Sequence, residues 1–137
     1  MVFTGDADMV LLPGSDGEMG ILPHHAPLLT ALQFGVIKVR AGGKETFFTV
    51  AGGVAEVQPD RVTVLADAAE NVEEIDIARA EAARRRAEES LAKGPPVESD
   101  DYLRIEVALR KSNLRLNAVK RYQSRTARRP RSSDESR

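Results

Sequence analysis

From Glu73 to Lys93 the chain contains neither glycine nor proline, and alanine dominates the stretch. A breaker-free run of this length, rich in the best helix former, reads as an α-helix. Ile77, Ala80, Ala83, Ala87 and Leu91 recur every three or four residues and form one apolar stripe. Glu73 and Glu74 fall in the expected first turn, where the helix dipole favours anions. Lys93-Gly94-Pro95-Pro96 then ends the run, with glycine past the end and proline beyond it. Ser99 or Asp100 is placed to cap a second helix over roughly 99–121, with Tyr102, Ile105, Leu109, Leu116 and Val119 as its apolar positions. A short connection between two such helices makes an antiparallel hairpin. The alanine stripe lets the backbones approach closely but buries little area, so the hairpin is expected to be only marginally stable alone.

Upstream of residue 70 the pattern is different. Val10-Leu11-Leu12 stops at the turn formers Pro13-Gly14-Ser15-Asp16-Gly17. Gly35–Arg40 alternates, with Ile37 and Val39 on one face and Lys38 and Arg40 on the other. Ala41-Gly42-Gly43-Lys44 reads as a hairpin connection and Glu45–Val50 as a strand. Gly52-Gly53 interrupts as a turn or bulge, and Val54–Gln58 resumes. Pro59-Asp60 suits the centre of a type I turn, and Arg61–Leu65 alternates with Val62 and Val64 inward. Short strands with frequent turn signals indicate an antiparallel β-sandwich. From about Tyr122 no apolar period remains. Gln123–Arg137 holds five arginines and a proline and is expected to be disordered. The expected organisation is therefore a sandwich over 1–70, a helical hairpin over 71–121 and a disordered basic tail over 122–137.

With 137 residues, 42% of them apolar, the chain has material for one modest core and an appendage. Aromatics are only 4%, so the core is aliphatic. There is no cysteine, hence no disulfide, thiolate metal site or cysteine nucleophile. No apolar run approaches the roughly 20 residues of a membrane helix, and no signal peptide opens the chain. The net charge of −1 conceals an asymmetry: residues 1–78 carry 12 acidic and 4 basic side chains, residues 79–137 carry 9 and 16. Halves of opposite sign point to modules that meet different partners, or each other.

Two constellations invite chemistry. Gly17–Leu32 brackets Glu18 and Met19 with glycines, and Pro23 and Pro27 fix φ on either side of His24 and His25. This reads as a rigid loop with two histidines at its tip. Neighbouring side chains in extended backbone point to opposite sides, and no carboxylate stands at ligand spacing, so a metal site is not expected. The second constellation lies at the helix start. Asp76 and Arg79 are spaced for a weak surface pair, and Arg86, seven residues further on, lies on nearly the same face as Arg79. Two guanidinium groups so placed suit a polyphosphate; a solvated helix face is the plainer alternative. No Walker-type glycine-rich loop is present, so a nucleotide bound here would be sensed and not hydrolysed. No nucleophile–base pair can be assembled, and no catalytic residue is assigned.

The run Gly17, Gly20-Ile21-Leu22-Pro23 and His25-Ala26-Pro27-Leu28 resembles the signature loop of the epsilon subunits of bacterial F-type ATP synthases, a family that includes chloroplast epsilon and mitochondrial delta. Gly52-Gly53-Val54, Glu56-Val57 and Val62–Asp67 match it further, and the resemblance extends over roughly 1–121. It implies a non-catalytic rotor subunit that binds gamma and the c-ring and supports ATP synthesis by proton transport. Such a subunit reaches the membrane only through the complex, peripherally, on the cytoplasmic side of the cell inner membrane. Glu18 and His25 match the family's c-ring and gamma contact positions. Ile75, Asp76, Arg79 and Ala80 match its ATP-binding motif, and Arg86 also matches. On the second helix Arg115 is retained, but Lys111 stands where the family has arginine. Lysine is a point charge and not a fork, which weakens a two-helix phosphate grip.

The same resemblance implies a switch. Packed on the sandwich, the hairpin permits hydrolysis; extended along gamma toward the acidic surface of the alpha/beta subunits, it blocks it. No cofactor is required, and a regulatory ATP is the ligand implied. The departure is at the start, where family members usually carry one more strand before the segment seen here as Val2-Phe3-Thr4-Gly5. Its absence is expected to leave an edge unpaired. Two readings stand beside this one: a free-standing ATP-binding sensor, and a basic-tailed nucleic-acid module built on Lys120–Arg131.

Overall fold

One long hairpin organises the N-terminal half. In this computed structural model, which describes residues 5–93 and 99–123, β3 (Leu28–Ala41) and β4 (Lys44–Gln58) pair antiparallel from Leu28↔Val57 to Ala41↔Lys44. Gly42 and Gly43, both at positive φ, close it in the backbone twist that a two-residue hairpin turn requires. The inward-facing set changes along its length. Ile37 and Val39 of β3 with Phe48 and Val50 of β4 are buried near the tip; Leu32 with Ala55 and Val57 are buried at the other end. Strand side chains alternate with period two, so this change of parity means that the ribbon bends and turns its other face to the core. The bend is at Gly52-Gly53, with φ of 95° and 134°, where a Cβ on Gly53 would run into the Leu65 carbonyl oxygen.

The remaining strands extend both ends of this ribbon. β1 (Met9–Gly14) pairs with β3 from Met9↔Arg40 to Gly14↔Leu32, with a register shift after Leu11, and with β2 (Gly17–Ile21); β6 (Ala69–Asn71) pairs with the N-terminal half of β4. β5 (Arg61–Ala66) pairs with β4 beyond the bend. The strand order is β2-β1-β3-β4-β5, with β6 beside β4. Leu12, Ile21, Ile37, Val39, Phe48 and Val50 from one side meet Leu32, Ala55 and Val57 from the other in one aliphatic core. The expected sandwich is present, as a single hydrogen-bonded sheet folded over itself. The loop expected over Gly17–Leu32 is mostly strand. Only 22–27 connects β2 to β3, and the glycines at 17 and 20 belong to β2.

Val72–Glu74 forms a single 3-10 turn capped by Asn71, whose side chain accepts from the Glu73 amide at 2.9 Å. The first α-helix, α1 (Ile77–Ala92), therefore starts later than Glu73, and its N-cap is Asp76. The second helix, α2 (Ser99–Tyr122), lies between α1 and the sheet. The outer faces of β3 and β4 receive it: Val36 and Phe47 pack beside Leu116, Ala118, Val119 and Tyr122, together with Val72, Ile75 and Ala80. A boundary at 122 falls two residues early, because Tyr122 ends the helix and Gln123 is buried at 6% exposure. The rest of the expected tail, 124–137, lies outside the described residues, as do residues 1–4, where the departure from the family pattern was expected.

Candidate functional site

The histidine loop is tied down by its own backbone. His24 sits at φ 68°, a left-handed conformation rare outside glycine, and its amide donates to the Pro59 carbonyl at 2.9 Å. This bond fastens the loop to the β4–β5 turn. His25 Nδ1 lies 2.7 Å from the Ala26 carbonyl, so the proton of the neutral ring belongs on Nδ1. Glu18 is exposed near the start of β2, opposite Pro13, whereas His25 follows the far end of that strand. The two expected contact residues thus stand toward opposite ends of β2. Among the described residues no group of three or more His, Cys, Asp or Glu could hold a metal ion.

At the start of α1, Asp76 has a different partner from the one its spacing suggested. Its Oδ1 accepts from the backbone N–H of Arg79 at 3.1 Å, so the carboxylate caps the helix and does not grip the Arg79 guanidinium. Ile75 is buried and Ala80 packs into the helix–sheet cluster. Arg79 and Arg86 are exposed. Lys111 and Arg115, half-buried on α2, face the sheet. With Thr49, Ala51, Ala69, Glu70 and Leu114 they line a shallow depression to which α1 contributes nothing. Arg115 Nε is bound to Glu70 Oε1 at 2.5 Å. In this docked arrangement the cations of α1 and those of α2 open onto different surfaces.

The contacts that hold the helices on the sheet were mostly not foreseen. Phe47 and Tyr122 stack with centroids 4.3 Å apart and planes 17° from parallel. The Arg110 guanidinium lies 4.0 Å above the Phe34 ring. Gln123 donates to the carbonyls of Val72 and Ile75. One signal was available: Phe47 and Phe48 are adjacent in a strand, so one of the two must point away from the core and find a partner outside it. Nothing comparable marks Glu70 or Gln123.

Similarity to known proteins agrees with this architecture. Residues 1–72 match the family model of the ATP synthase delta/epsilon chain beta-sandwich domain, and residues 73–120 match its long alpha-helix domain. The ATP synthase epsilon chain of Dehalococcoides mccartyi strain BAV1 is 48% identical over 126 residues, covering 88% of this chain and 85% of that one. That of Desulforamulus reducens is 48% identical over 120 residues, covering 87% and 89%. Among solved structures, a chain of the Euglena gracilis mitochondrial ATP synthase (OSCP/F1/c-ring) is similar at 26% identity, with a TM-score of 0.69 over 82% of this chain and 70% of that one. A chain of the Tetrahymena thermophila central stalk/c-ring structure shares the fold at 14% identity and a TM-score of 0.52, covering 82% of each. With both its sandwich and its helices matched in order, the chain belongs to the ATP synthase delta/epsilon family.

Proposed function

We propose that this chain is the non-catalytic epsilon subunit of a proton-translocating ATP synthase. It joins gamma to the c-ring and restrains ATP hydrolysis through its helical hairpin. The sandwich supplies a rigid unit: its core is continuous, and its histidine loop is fixed to the β4–β5 turn by the His24–Pro59 bond. None of the described helices is long and apolar enough to cross a membrane. In the proposed role the subunit attaches at the cytoplasmic face of the inner membrane through the complex. Alpha, beta and gamma are the further partners of the extended hairpin.

The observation that carries the regulatory part is the way the hairpin is docked. It rests on the sheet through one small apolar patch, Val36 and Phe47 against Leu116, Val119 and Tyr122, with the Glu70–Arg115 pair beside it and Gln123 on the linker, while its own seam is lined by alanine. Such a unit can leave the sheet without unfolding the sandwich. ATP held by Asp76, Arg79 and Arg86, with Lys111 and Arg115 reaching from α2, shifts the balance only if it binds the docked state more tightly than the extended one. The Glu70–Arg115 pair must open or turn for Arg115 to join such a site. The test is ATP hydrolysis by the reconstituted complex with and without residues 73–137. Faster hydrolysis on deletion is expected, and an unchanged rate removes the inhibitory role. Calorimetry with ATP on the wild type and Arg79→Ala tests the nucleotide separately; absence of heat in both retires it.

A further inference from the structure

Tyr122, which ends α2, and Gln123, the residue after it, touch two different parts of the protein. Tyr122 stacks on Phe47, an outward-facing residue of β4. Gln123, one residue on, buries its side chain against the linker that joins sandwich to helices. Its Nε2 amide donates to Val72 O at 3.1 Å and to Ile75 O at 3.4 Å, one hydrogen for each carbonyl. Those two carbonyls bracket the 3-10 turn, and Val72 O also accepts from the Ile75 amide at 3.3 Å. Val72 and Ile75 are themselves buried, at 1% and 7% exposure. The C-terminal end of α2 thus holds the short segment from which α1 departs.

We infer that Tyr122 and Gln123 form a latch that keeps the hairpin docked by pinning the 3-10 linker, Val72–Ile75, in the conformation that lays α1 and α2 on the sheet. This inference rests on the reading that the hairpin moves, and adds to it the place where movement is controlled. When α2 lifts, the Gln123 amide leaves two carbonyls at once and the Phe47–Tyr122 stack separates. Either loss removes an interaction of the class that shifts a two-state ratio about tenfold. The linker is then free to rotate, which re-aims α1. Ile75 opens the proposed nucleotide motif, so the latch also bears on the residue that precedes the Asp76 cap.

The test is hydrogen exchange on the full-length chain, comparing Gln123→Met, Gln123→Glu and, as an exposed control on the same helix, Asn117→Ala. Methionine keeps the length and packing but donates nothing; glutamate turns acceptor oxygens toward two carbonyl oxygens. Amides of α2 and of Val72–Ile75 should exchange about tenfold faster in Gln123→Met and faster still in Gln123→Glu. Asn117→Ala should exchange no faster than the wild type, because alanine is the better helix former, and β3 and β4 should be unaffected in all three. Unchanged α2 exchange in both Gln123 variants overturns the latch, as does an acceleration shared equally by β3 and β4. The outcome separates from that of the regulatory reading. If the hairpin does not restrain hydrolysis, the complex ignores the Gln123 variants while their exchange still accelerates. If only the latch is wrong, deleting 73–137 still changes hydrolysis and the exchange of the variants does not.

Discussion

Leu12, Val50 and Val57 at the centre of the sandwich are at most 1% exposed, whereas the helices bury Ala80, Ala87, Ser112 and Ala118. Both regions are closely packed, but they obtain closeness differently. In the sandwich, large aliphatic side chains from strands distant in sequence fill a shared interior. In the hairpin, small side chains let backbones approach, and little apolar surface leaves water per residue. Among the described residues, Arg84 Nε on α1 is a buried side-chain donor with no hydrogen-bond partner, and the Ser112 hydroxyl turns back to the Ala108 carbonyl of its own helix at 2.9 Å. A unit built this way derives its position from one small docking patch on the sheet and not from an interior of its own, and that suits a part that must change place.

The largest effect should come from breaking the sandwich side of the comparison. Leu12→Ala removes a fully buried side chain where β1 meets the folded ribbon. It should cost about 3–5 kcal/mol in denaturant unfolding followed across the whole chain. Gly53→Ala should cost about 3 kcal/mol, because φ of 134° disfavours any Cβ and the Leu65 carbonyl stands in its way. Its effect should appear as lost sandwich stability, since the bend is what turns both halves of the ribbon to one core. A cost below about 1 kcal/mol would mean that the bend can relax without separating the two faces.

The hairpin should respond with the opposite logic. Ala87→Leu adds apolar volume, which would help a loose core. In a seam set by alanine it should force the helices apart and cost about 2 kcal/mol. Far-UV circular dichroism should record the loss in the helical transition, with the sandwich amides still protected in hydrogen exchange. A gain in stability would show that the seam is underpacked, and the contrast between the two regions would lose its main support.

Legibility divides along the same line. The strands were readable because alternation and turn chemistry are local: Gly42-Gly43 and Pro59-Asp60 close the hairpins where the sequence placed them. Gly17–Leu32 misled because its glycines and prolines look like loop residues. Gly17 to Ile21 are instead held extended by pairing with Val10–Gly14 across the two-residue Ser15-Asp16 turn, a local hairpin whose second strand carries two glycines and so lacks a strand's usual composition. Helix existence was readable from the breaker-free alanine run. Its start was not, because Glu73 and Glu74 suit a first turn equally well whether it is α or 3-10. At the candidate nucleotide site, spacing put Arg79 and Arg86 on one helix face but carried no information on Lys111 and Arg115, whose direction is set by docking on β4 and β6. The docking contacts themselves join residues 45 to 76 positions apart, such as Glu70 with Arg115 and Phe34 with Arg110, which no periodicity connects.

The smallest effect is the most discriminating, because Asp76 holds two candidate roles. In the docked structure its carboxylate is an N-cap, bonded to the Arg79 amide. Asp76→Ala should therefore cost about 1 kcal/mol of helix stability in thermal melts. Asp76→Ser, which keeps a capping oxygen and removes the charge, should recover most of that loss. Calorimetry with ATP on the serine variant then separates the roles. If ATP binds it as it binds the wild type, the carboxylate serves the motif only by starting α1 where Arg79 and Arg86 are correctly presented. If binding disappears while the helix remains stable, the ligand uses the carboxylate itself, through Oδ2 while Oδ1 keeps the Arg79 amide, so that one side chain both starts α1 and serves the nucleotide.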